Sequence, residues 1–112
     1  MRRGDVYWVR FPSPSGRRPA VLVSRDEAYA VRSRVTVVPV TRNVRGIPTE
    51  VRLGPSDGLP KVSVANADEI VTIPAAILDG RIATLTRSKV DALDDALRFA
   101  LALDATRPMG RS

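Results

Sequence analysis

A basic turn that runs directly into an apolar strand carries the side chain best suited to chemistry. The segment reads Gly16-Arg17-Arg18-Pro19-Ala20-Val21-Leu22-Val23-Ser24. Three consecutive apolar residues between turn signals predict a buried strand, and Pro19 begins it, where a missing N–H costs least. Because the residue before a proline is pushed toward extended conformations, Arg18 is held at the mouth of this strand. A guanidinium so placed suits planar, two-pronged contact with a phosphate.

The residue types that the chain lacks exclude several kinds of catalytic and metal site. It contains no His and no Cys. Their absence excludes a Ser–His–Asp triad, a Cys–His pair, a pair of catalytic histidines and a zinc site built on His or Cys. The adjacent carboxylates of Asp68 and Glu69 point to opposite faces of a strand, so they do not predict a metal site. If the protein reacts with a phosphate, arginine must supply much of the catalysis, and we expect no metal and no cofactor.

The charge of the chain is large and uneven. The net charge is +6 over 112 residues, and residues 1–52 hold 11 Arg against 4 acidic residues, a balance of +7. Residues 53–112 hold 7 basic and 8 acidic residues, a balance of −1. An arginine-rich half on a small domain is typical of a nucleic-acid binder, although a basic solubilising surface gives the same composition.

Thr41 is the second candidate for chemistry. It follows the β-branched run Val35–Val40 and begins an arginine-rich loop. If the two core strands end side by side, the Arg18 guanidinium and the Thr41 hydroxyl lie over one groove. Read alone, Arg18 is equally consistent with an exposed turn residue and Thr41 with a strand-end cap, and the pattern leaves both interpretations open.

Other polar residues could line the same groove. Arg17, Arg42 and Arg45 would position phosphates, as basic side chains around a nucleic-acid backbone do. Asn66, Asp68 and Glu69 could read exposed base edges, because amides and carboxylates discriminate hydrogen-bond donors from acceptors. Polarity of a turn and an edge strand explains these last three residues equally well.

The elements that must position these residues are mostly short strands. Apolar runs and alternation predict strands near residues 6–11, 20–24, 35–40, 49–53, 61–65, 68–73 and 81–85, with a short helix near 74–78. Thr86 then caps a helix that runs to about Leu103, with Val90, Leu93, Leu97, Ala100 and Leu101 on its apolar face. We predict a mainly β fold, a small antiparallel barrel or curled sheet with short helices and a C-terminal helix. Residues 1–104 are predicted to form one domain, and residues 105–112 a disordered tail.

Five segments in this order resemble the MazF/PemK (Kid) toxins of bacterial toxin–antitoxin pairs. They are Arg3-Gly-Asp-Val-Tyr-Trp-Val9, the segment 16–24, Val37-Val38-Pro39-Val40-Thr41, Asn66-Ala-Asp-Glu-Ile-Val-Thr-Ile73 and Leu85-Thr-Arg-Ser-Lys-Val-Asp-Ala-Leu-Asp-Asp-Ala-Leu97. The resemblance covers roughly residues 2–103. Each motif alone is modest, but the five in sequence are specific. The loop before Arg18 departs from some members, since it offers only serine hydroxyls where they carry Glu or Gln.

The resemblance implies an SH3-like barrel and a metal-independent endoribonuclease. Such a toxin cleaves single-stranded RNA within a short sequence, leaves 2′,3′-cyclic phosphate and 5′-hydroxyl ends, and inhibits translation and growth. It implies a homodimer with RNA in a groove at the dimer interface, and an acidic MazE-like antitoxin as partner. By position, Arg18 matches the catalytic arginine and Thr41 the residue beside it. The residues predicted to bind RNA are Arg10, Arg17, Arg42, Asn43, Arg45, Asn66, Asp68 and Glu69.

Two other functions fit the sequence less well. A non-enzymatic toxin of the same fold acting on DNA gyrase would have no need of the Arg18–Thr41 pair. A simple RNA-binding module is disfavoured by an aromatic content of only 4%, since single-strand binders stack bases on aromatic rings. No apolar run approaches the ~20 residues needed to cross a bilayer, and no signal peptide is recognisable, so we expect a cytoplasmic protein with no membrane partner.

Overall fold

The computed structural model describes residues 1–103 and contains seven strands and two α-helices over that range. The strands are β1 (Asp5–Arg10), β2 (Arg17–Leu22), β3 (Arg34–Thr41), β4 (Glu50–Leu53), β5 (Ser63–Asn66), β6 (Val71–Pro74) and β7 (Leu78–Thr84), and the helices are α1 (Ala28–Val31) and α2 (Arg87–Leu101). The predicted mainly β fold with short helices and a C-terminal helix is confirmed. The tail predicted at residues 105–112 lies outside the described residues.

The sheet is open, so the predicted closed barrel is wrong. All strand pairs are antiparallel, the sheet order is β4-β5-β3-β2-β1-β7, and β6 pairs with the first half of β3. The end strands β4 and β7 do not pair with each other within residues 1–103. A strand edge can be covered by a packed helix instead of another strand. Here β4 is only four residues long and contacts α2, whose Lys89 ammonium donates to the Arg52 carbonyl.

Strand β3 lies at the centre of this architecture. Its first half pairs with β6, its last two residues pair with β5, and its other edge pairs with β2. Because successive side chains of a strand point to opposite faces, Val35 and Val37 pack in one core and Val38 and Val40 in another. Both faces of β3 are therefore buried. This burial explains why the sequence of the strand is almost entirely apolar instead of alternating.

Strands β2 and β3 are packed between two aliphatic cores. The core between the sheet and α2 includes Val6, Val21, Leu53, Leu93 and Leu97. The core on the opposite face consists of Val9, Ala20, Leu22, Val35, Val37 and Ile73. Full burial of one such aliphatic side chain contributes about 1.5–3 kcal/mol. The polar ends of β2 and β3 thus extend from strands that are packed on both faces.

Helix α2 follows its predicted pattern closely but not completely. The Thr86 hydroxyl accepts the Lys89 N–H at 3.3 Å, which confirms Thr86 as the N-cap. The helix ends at Leu101 rather than Leu103. Leu101 is 47% exposed, so its predicted place on the apolar face is wrong, and Ala96 is buried instead. The residues of α2 that pack against the sheet therefore lie nearer the middle of the helix than predicted, and the last turn is mostly exposed.

The polar segment before β6 also differs from the prediction of a strand over residues 68–73. Strand β6 begins only at Val71, and Asp68 and Glu69 lie in a short 3-10 turn. The Asn66 side chain accepts the Asp68 N–H at 3.0 Å. Local side-chain to backbone bonds of this kind compete with strand pairing. The two carboxylates therefore belong to a turn at the end of β5.

Tyr29 sets an alkaline limit to the stability of the fold. Its hydroxyl donates to the Ser24 carbonyl at 3.0 Å, and burial, aided by the charge of Asp26, raises the pKa of Tyr29 to about 12. The neutral phenol is favoured in the folded state. Its contribution is therefore complete below the unfolded pKa of about 10 and is lost as pH rises through the folded pKa.

We expect the free energy of unfolding of the wild type to fall between pH 10 and pH 12 more steeply than that of Tyr29→Phe. The measurement is urea unfolding at several pH values across this interval. The phenylalanine variant keeps the ring and removes only the titrating hydroxyl. Parallel curves for the two proteins would contradict this role of Tyr29.

Candidate active site

The register between β2 and β3 brings Arg18 and Thr41 together. Ala20 pairs with Pro39, and the next two residues of β2 pair with the two that precede Pro39 in β3. Continued by two positions, the same register sets Arg18 opposite Thr41. Residues opposite each other in antiparallel strands share a face of the sheet. Both side chains are half-buried and line the same two grooves, as the sequence predicted.

Pro19 explains why this pair is accessible. It has no N–H to donate, so the hydrogen-bonded ladder between β2 and β3 cannot continue through it. The paired residues stop at Ala20 and Pro39. Beyond them the Arg18 guanidinium reaches across, and its Nη2 donates to the Val40 carbonyl at 3.4 Å. One prong of the guanidinium is therefore anchored, and its other N–H groups can serve a ligand.

The Thr41 hydroxyl is oriented by the loop that follows it. Its Oγ1 accepts the Asn43 N–H at 3.1 Å. A hydroxyl has two acceptor lone pairs and one donor hydrogen, so this contact leaves the hydrogen available. Thr41 can therefore donate to an oxygen lying over the groove beside Arg18.

Two grooves meet at this pair. The first has a volume of about 430 Å³ and is lined by Phe11, Ser15, Arg18, Pro39, Thr41, Asn43, Arg45, Asn66, Glu69 and Val71. The second has a volume of about 710 Å³ and is lined by Trp8, Pro14, Ser15, Arg17, Arg18, Pro19, Val40, Thr41, Arg42, Asn43, Leu59, Pro60, Lys61 and Ser63. Their shared residues are Ser15, Arg18, Thr41 and Asn43. The pair thus lies where the two grooves join.

Basic side chains are distributed along both grooves. Arg45 lies in the first groove, and Arg17, Arg42 and Lys61 lie in the second. Arg17 also stacks on Trp8, with its guanidinium carbon 4.1 Å from the ring centroid. Basic side chains therefore flank the Arg18–Thr41 pair on both sides.

Arg10 is one of two predicted residues that line neither groove; the other is Asp68. Its guanidinium binds both oxygens of the Asp79 carboxylate, at 3.0 and 3.2 Å, and Arg17 donates to the same carboxylate at 3.2 Å. Hydrogen bonds from Arg10, and next from Arg17, lower the pKa of Asp79 below its ordinary range. Asp79 therefore connects Arg10 to the outer side of the second groove through Arg17.

The three predicted base-reading residues take different positions. Asn66 and Glu69 line the first groove, whereas Asp68 does not. Asn66 is 6% exposed, and Glu69 is exposed. The Asp68 carboxylate instead accepts the hydroxyl of Thr49 at 3.0 Å. The structure thus gives the first groove an amide and a carboxylate, while Asp68 is exposed outside it.

Glu50 is a site residue that the sequence analysis missed. Its carboxylate accepts the Arg45 N–H at 3.1 and 3.2 Å and the Gly46 N–H at 2.8 Å. These bonds fasten the arginine-rich loop between β3 and β4. The available signal was weak: an acidic residue shortly after a loop rich in arginine and glycine. Phe11, Ser15 and Lys61 were also missed, because lining a groove depends on contacts distant in sequence.

Residues 1–103 contain neither a membrane-spanning helix nor a cluster of acidic side chains that could hold a metal ion. Neither helix in this range is long and apolar enough to cross a bilayer. No three acidic side chains in the same range group together in a way that could hold a metal ion. What these residues do present is an arginine and a threonine that line two adjoining grooves, each with further basic side chains, on a small basic β protein.

The family of the chain is shown by its sequence. Residues 2–101 match the family described as the PemK-like, MazF-like toxin of type II toxin–antitoxin systems. The match spans all seven strands and the whole of α2. The chain belongs to this family, as the resemblance predicted.

Individual relatives agree with this assignment. The chain is 37% identical to the probable endoribonuclease MazF5 of Mycobacterium tuberculosis over 100 residues, which are 88% of this chain and 91% of that protein. The solved structure of Mycobacterium tuberculosis toxin MazF-mt6 matches with a TM-score of 0.83 at 32% identity, covering 89% of this chain and 98% of that one. A mycobacterial endoribonuclease solved with its cognate antitoxin matches with a TM-score of 0.82 at 33% identity, covering 93% and 97%. The predicted class, a toxin endoribonuclease, is confirmed.

Proposed function

We propose that the protein cleaves single-stranded RNA within a short recognition sequence, without a metal ion, leaving 2′,3′-cyclic phosphate and 5′-hydroxyl ends. The observation that carries this proposal is the position of Arg18 and Thr41 in both arginine-rich grooves. A strand lying along the two grooves would place one phosphate over this pair. Bound at that point, the phosphate would meet a guanidinium and a hydroxyl at once.

The reaction needs no nucleophile from the protein. The RNA 2′-oxygen attacks the adjacent phosphorus and gives up its proton, the bond from phosphorus to the 5′-oxygen breaks, and that oxygen takes a proton. Negative charge builds on the non-bridging oxygens as the phosphorus becomes pentacoordinate. Arg18 can donate two N–H groups to these oxygens and Thr41 a third hydrogen bond. Arg18 acts by charge stabilisation, because a guanidinium keeps its proton near neutral pH.

Both donors are held in place before the RNA binds. The Arg18 guanidinium rests on the Val40 carbonyl, and the Asn43 N–H holds the Thr41 oxygen. Donors that are already oriented toward developing charge need no reorganisation during the reaction. This preorganisation is what a rigid strand end provides and a free loop arginine does not.

The remaining groove residues bind and orient the strand. Arg17, Arg42, Arg45 and Lys61 supply cations for phosphates on either side of the scissile one. Phe11, half-buried in the lining of the first groove, offers an aromatic face on which an unpaired base can stack. Asn43, Asn66 and Glu69 supply polar groups to base edges.

The family supports an antitoxin as a partner of this protein. We propose a cognate acidic antitoxin, since one related endoribonuclease was solved in complex with its cognate antitoxin. An acidic partner matches the net charge of +6. We also propose that the toxin is a cytoplasmic homodimer that inhibits translation and growth. Sedimentation equilibrium tests the dimer, and a monomer at micromolar concentration would contradict it.

Glu50 offers a test of how the groove is held. Glu50→Gln keeps the size of the side chain but replaces a carboxylate by an amide, so the N–H groups of Arg45 and Gly46 lose a charged acceptor. Hydrogen bonds to charged groups contribute about 1.5–3 kcal/mol. We expect KM for RNA to rise about tenfold while kcat changes little, since Glu50 holds Arg45 and Gly46 but not Asn43, whose N–H orients Thr41. An unchanged KM would contradict the role of Glu50.

The proposed chemistry is tested on an oligonucleotide containing one cleavage site. A single 2′-deoxy substitution on the 5′ side of the scissile phosphate removes the nucleophile, and cleavage there should cease. The all-RNA control should yield a cyclic phosphate that acid opens to a monophosphate. Cleavage of the deoxy substrate, or 5′-phosphate ends, would overturn the proposal. Folded protein that cuts no RNA but blocks DNA supercoiling would favour the gyrase alternative.

A further inference from the structure

Thr49 is a buried hydroxyl that lies just behind the first groove. Thr49 is only 4% exposed. Its Oγ1 lies 3.1 Å from Asn66 Oδ1 and 3.0 Å from Asp68 Oδ2. A hydroxyl has one hydrogen, which is shared between these two oxygens. Thr49 therefore connects Asp68, which does not line the groove, to Asn66, which does.

These contacts decide which end of the Asn66 amide faces the groove. Asn66 Oδ1 accepts the backbone N–H of Asp68 at 3.0 Å in addition to the Thr49 hydroxyl. If the amide were turned over, its NH2 group would face that N–H, and two donors would meet. A backbone N–H cannot reverse its role. The oxygen is thus held inward, and the NH2 group is the end left for a ligand.

The Asn66 NH2 group has no hydrogen-bond partner among residues 1–103 and is not completely buried. Its side-chain nitrogen makes no hydrogen bond in that range. The only buried side-chain polar atom there without a hydrogen bond is an Asp94 oxygen, which lies 2.8 Å from the Arg3 guanidinium. The Asn66 nitrogen is therefore not sealed in the core, and Asn66 lines the groove. The groove contains a fixed hydrogen-bond donor.

We propose that Asn66, oriented by Thr49 and Asp68, selects a keto base, uracil or guanine, at one position of the RNA recognition sequence. This rests on the proposed function of the same site. Uracil O4 and guanine O6 accept a hydrogen bond at the point where cytosine and adenine carry an NH2 group. An amide NH2 that cannot turn over meets a donor in the amino bases and an acceptor in the keto bases.

Thr49 and Asp68 act as positioning residues in this proposal. Neither touches the RNA, and their effect passes through the orientation of the Asn66 amide. In Thr49→Val the inner oxygen keeps the Asp68 N–H but loses the hydroxyl. We expect the preference for the keto base to weaken in this variant without being abolished.

The test uses oligonucleotides based on the sequence that the wild type cuts in a mixed RNA. Each position is exchanged in turn between uracil and cytosine, or between guanine and adenine, and kcat/KM is measured. We expect one position at which the keto base is preferred about tenfold, the effect of one neutral hydrogen bond. Asn66→Asp, which offers only acceptors, should reverse that preference, and Asn66→Ala should abolish it.

Thr49→Val is compared with Thr36→Val, which removes a hydroxyl bonded to Thr72 outside both grooves. A purely structural role of Thr49 lowers cleavage of both bases alike and leaves their ratio unchanged. The proposal predicts a smaller ratio in Thr49→Val and the wild-type ratio in Thr36→Val. An unchanged ratio in Thr49→Val would remove Thr49 from the mechanism.

The outcomes separate this inference from the proposed function. Cleavage by the wild type with no keto preference at any position overturns the role of Asn66 and leaves the endoribonuclease intact. The same holds if Asn66→Ala and Asn66→Asp both keep the wild-type preference. If Asn66→Asp cuts nothing because its charge repels RNA, Asn66→Ala still decides. Failure of the wild type to cut RNA contradicts the function itself.

Discussion

Replacing Arg18 by alanine is expected to lower the rate of RNA cleavage by about 10²–10³, the loss measured when one preorganised donor to a developing oxyanion is removed. The expected size follows from the geometry. Arg18 can supply two hydrogen bonds and a full positive charge to the phosphate, and it is already oriented by the Val40 carbonyl. The measurement is single-turnover cleavage of a defined oligonucleotide, in which product release does not limit the rate.

Two further arginine variants sharpen this prediction. Arg18→Lys keeps the charge but loses the planar fork, so we expect it to recover only a small part of the lost rate. Arg25→Ala removes the same charge from an exposed residue that lines neither groove and should cleave at the wild-type rate. Equal losses in Arg18→Ala and Arg25→Ala would mean that net charge, not the site, drives cleavage.

RNA affinity is expected to fall steeply with salt. Five cations line the two grooves: Arg17, Arg18, Arg42, Arg45 and Lys61. If each binds one phosphate of a single strand, log Kobs against log salt has a slope of about −3.5. Affinity then falls about 10²-fold between 50 and 200 mM salt. Fluorescence anisotropy with an uncleavable 2′-deoxy substrate measures this slope without turnover.

Charge-neutral variants identify which cations contribute to that slope. Arg42→Gln and Arg45→Gln should each reduce its magnitude by about 0.7, because one counterion fewer is released on binding. Arg25→Gln serves as the matched control, with the slope of the wild type. Arg10 is not among the five counted cations, because it is bound to Asp79 outside the grooves. Arg10→Gln should therefore leave the slope unchanged. An unchanged slope in Arg42→Gln and Arg45→Gln would contradict the path of the RNA backbone.

The strands were predictable because their signals are local. Continuous apolar runs mark β2 and β3, and Thr86 marks the start of α2. The openness of the sheet was not predictable in this way. It depends on α2 contacting β4, and no residue of β4 alone carries that information. The turn at Asp68 was missed because one hydrogen bond, donated by the Asp68 N–H to the Asn66 side chain, outweighs the alternation that suggested a strand.

The centre of the site was predictable for a different reason. Arg18 and Thr41 are placed by Pro19 and by strand register, both of which follow from sequence order. Residues behind the groove were not predictable. Glu50 and Thr49 act through hydrogen bonds to a loop and to an amide that only the folded chain brings near. The roles of the groove residues in binding RNA stay predictions until the variants are measured.

The most direct test of the central claim is incubation of a long, mixed-sequence RNA with purified protein in excess EDTA, with Arg18→Ala and Arg25→Ala alongside. At the time when the wild type and Arg25→Ala have cut the RNA at one repeated short sequence, RNA incubated with Arg18→Ala should still be nearly intact, because its rate is about 10²–10³ lower. Circular dichroism shows that each protein is folded. Intact RNA with folded wild type, or the same cuts by Arg18→Ala, would contradict the account.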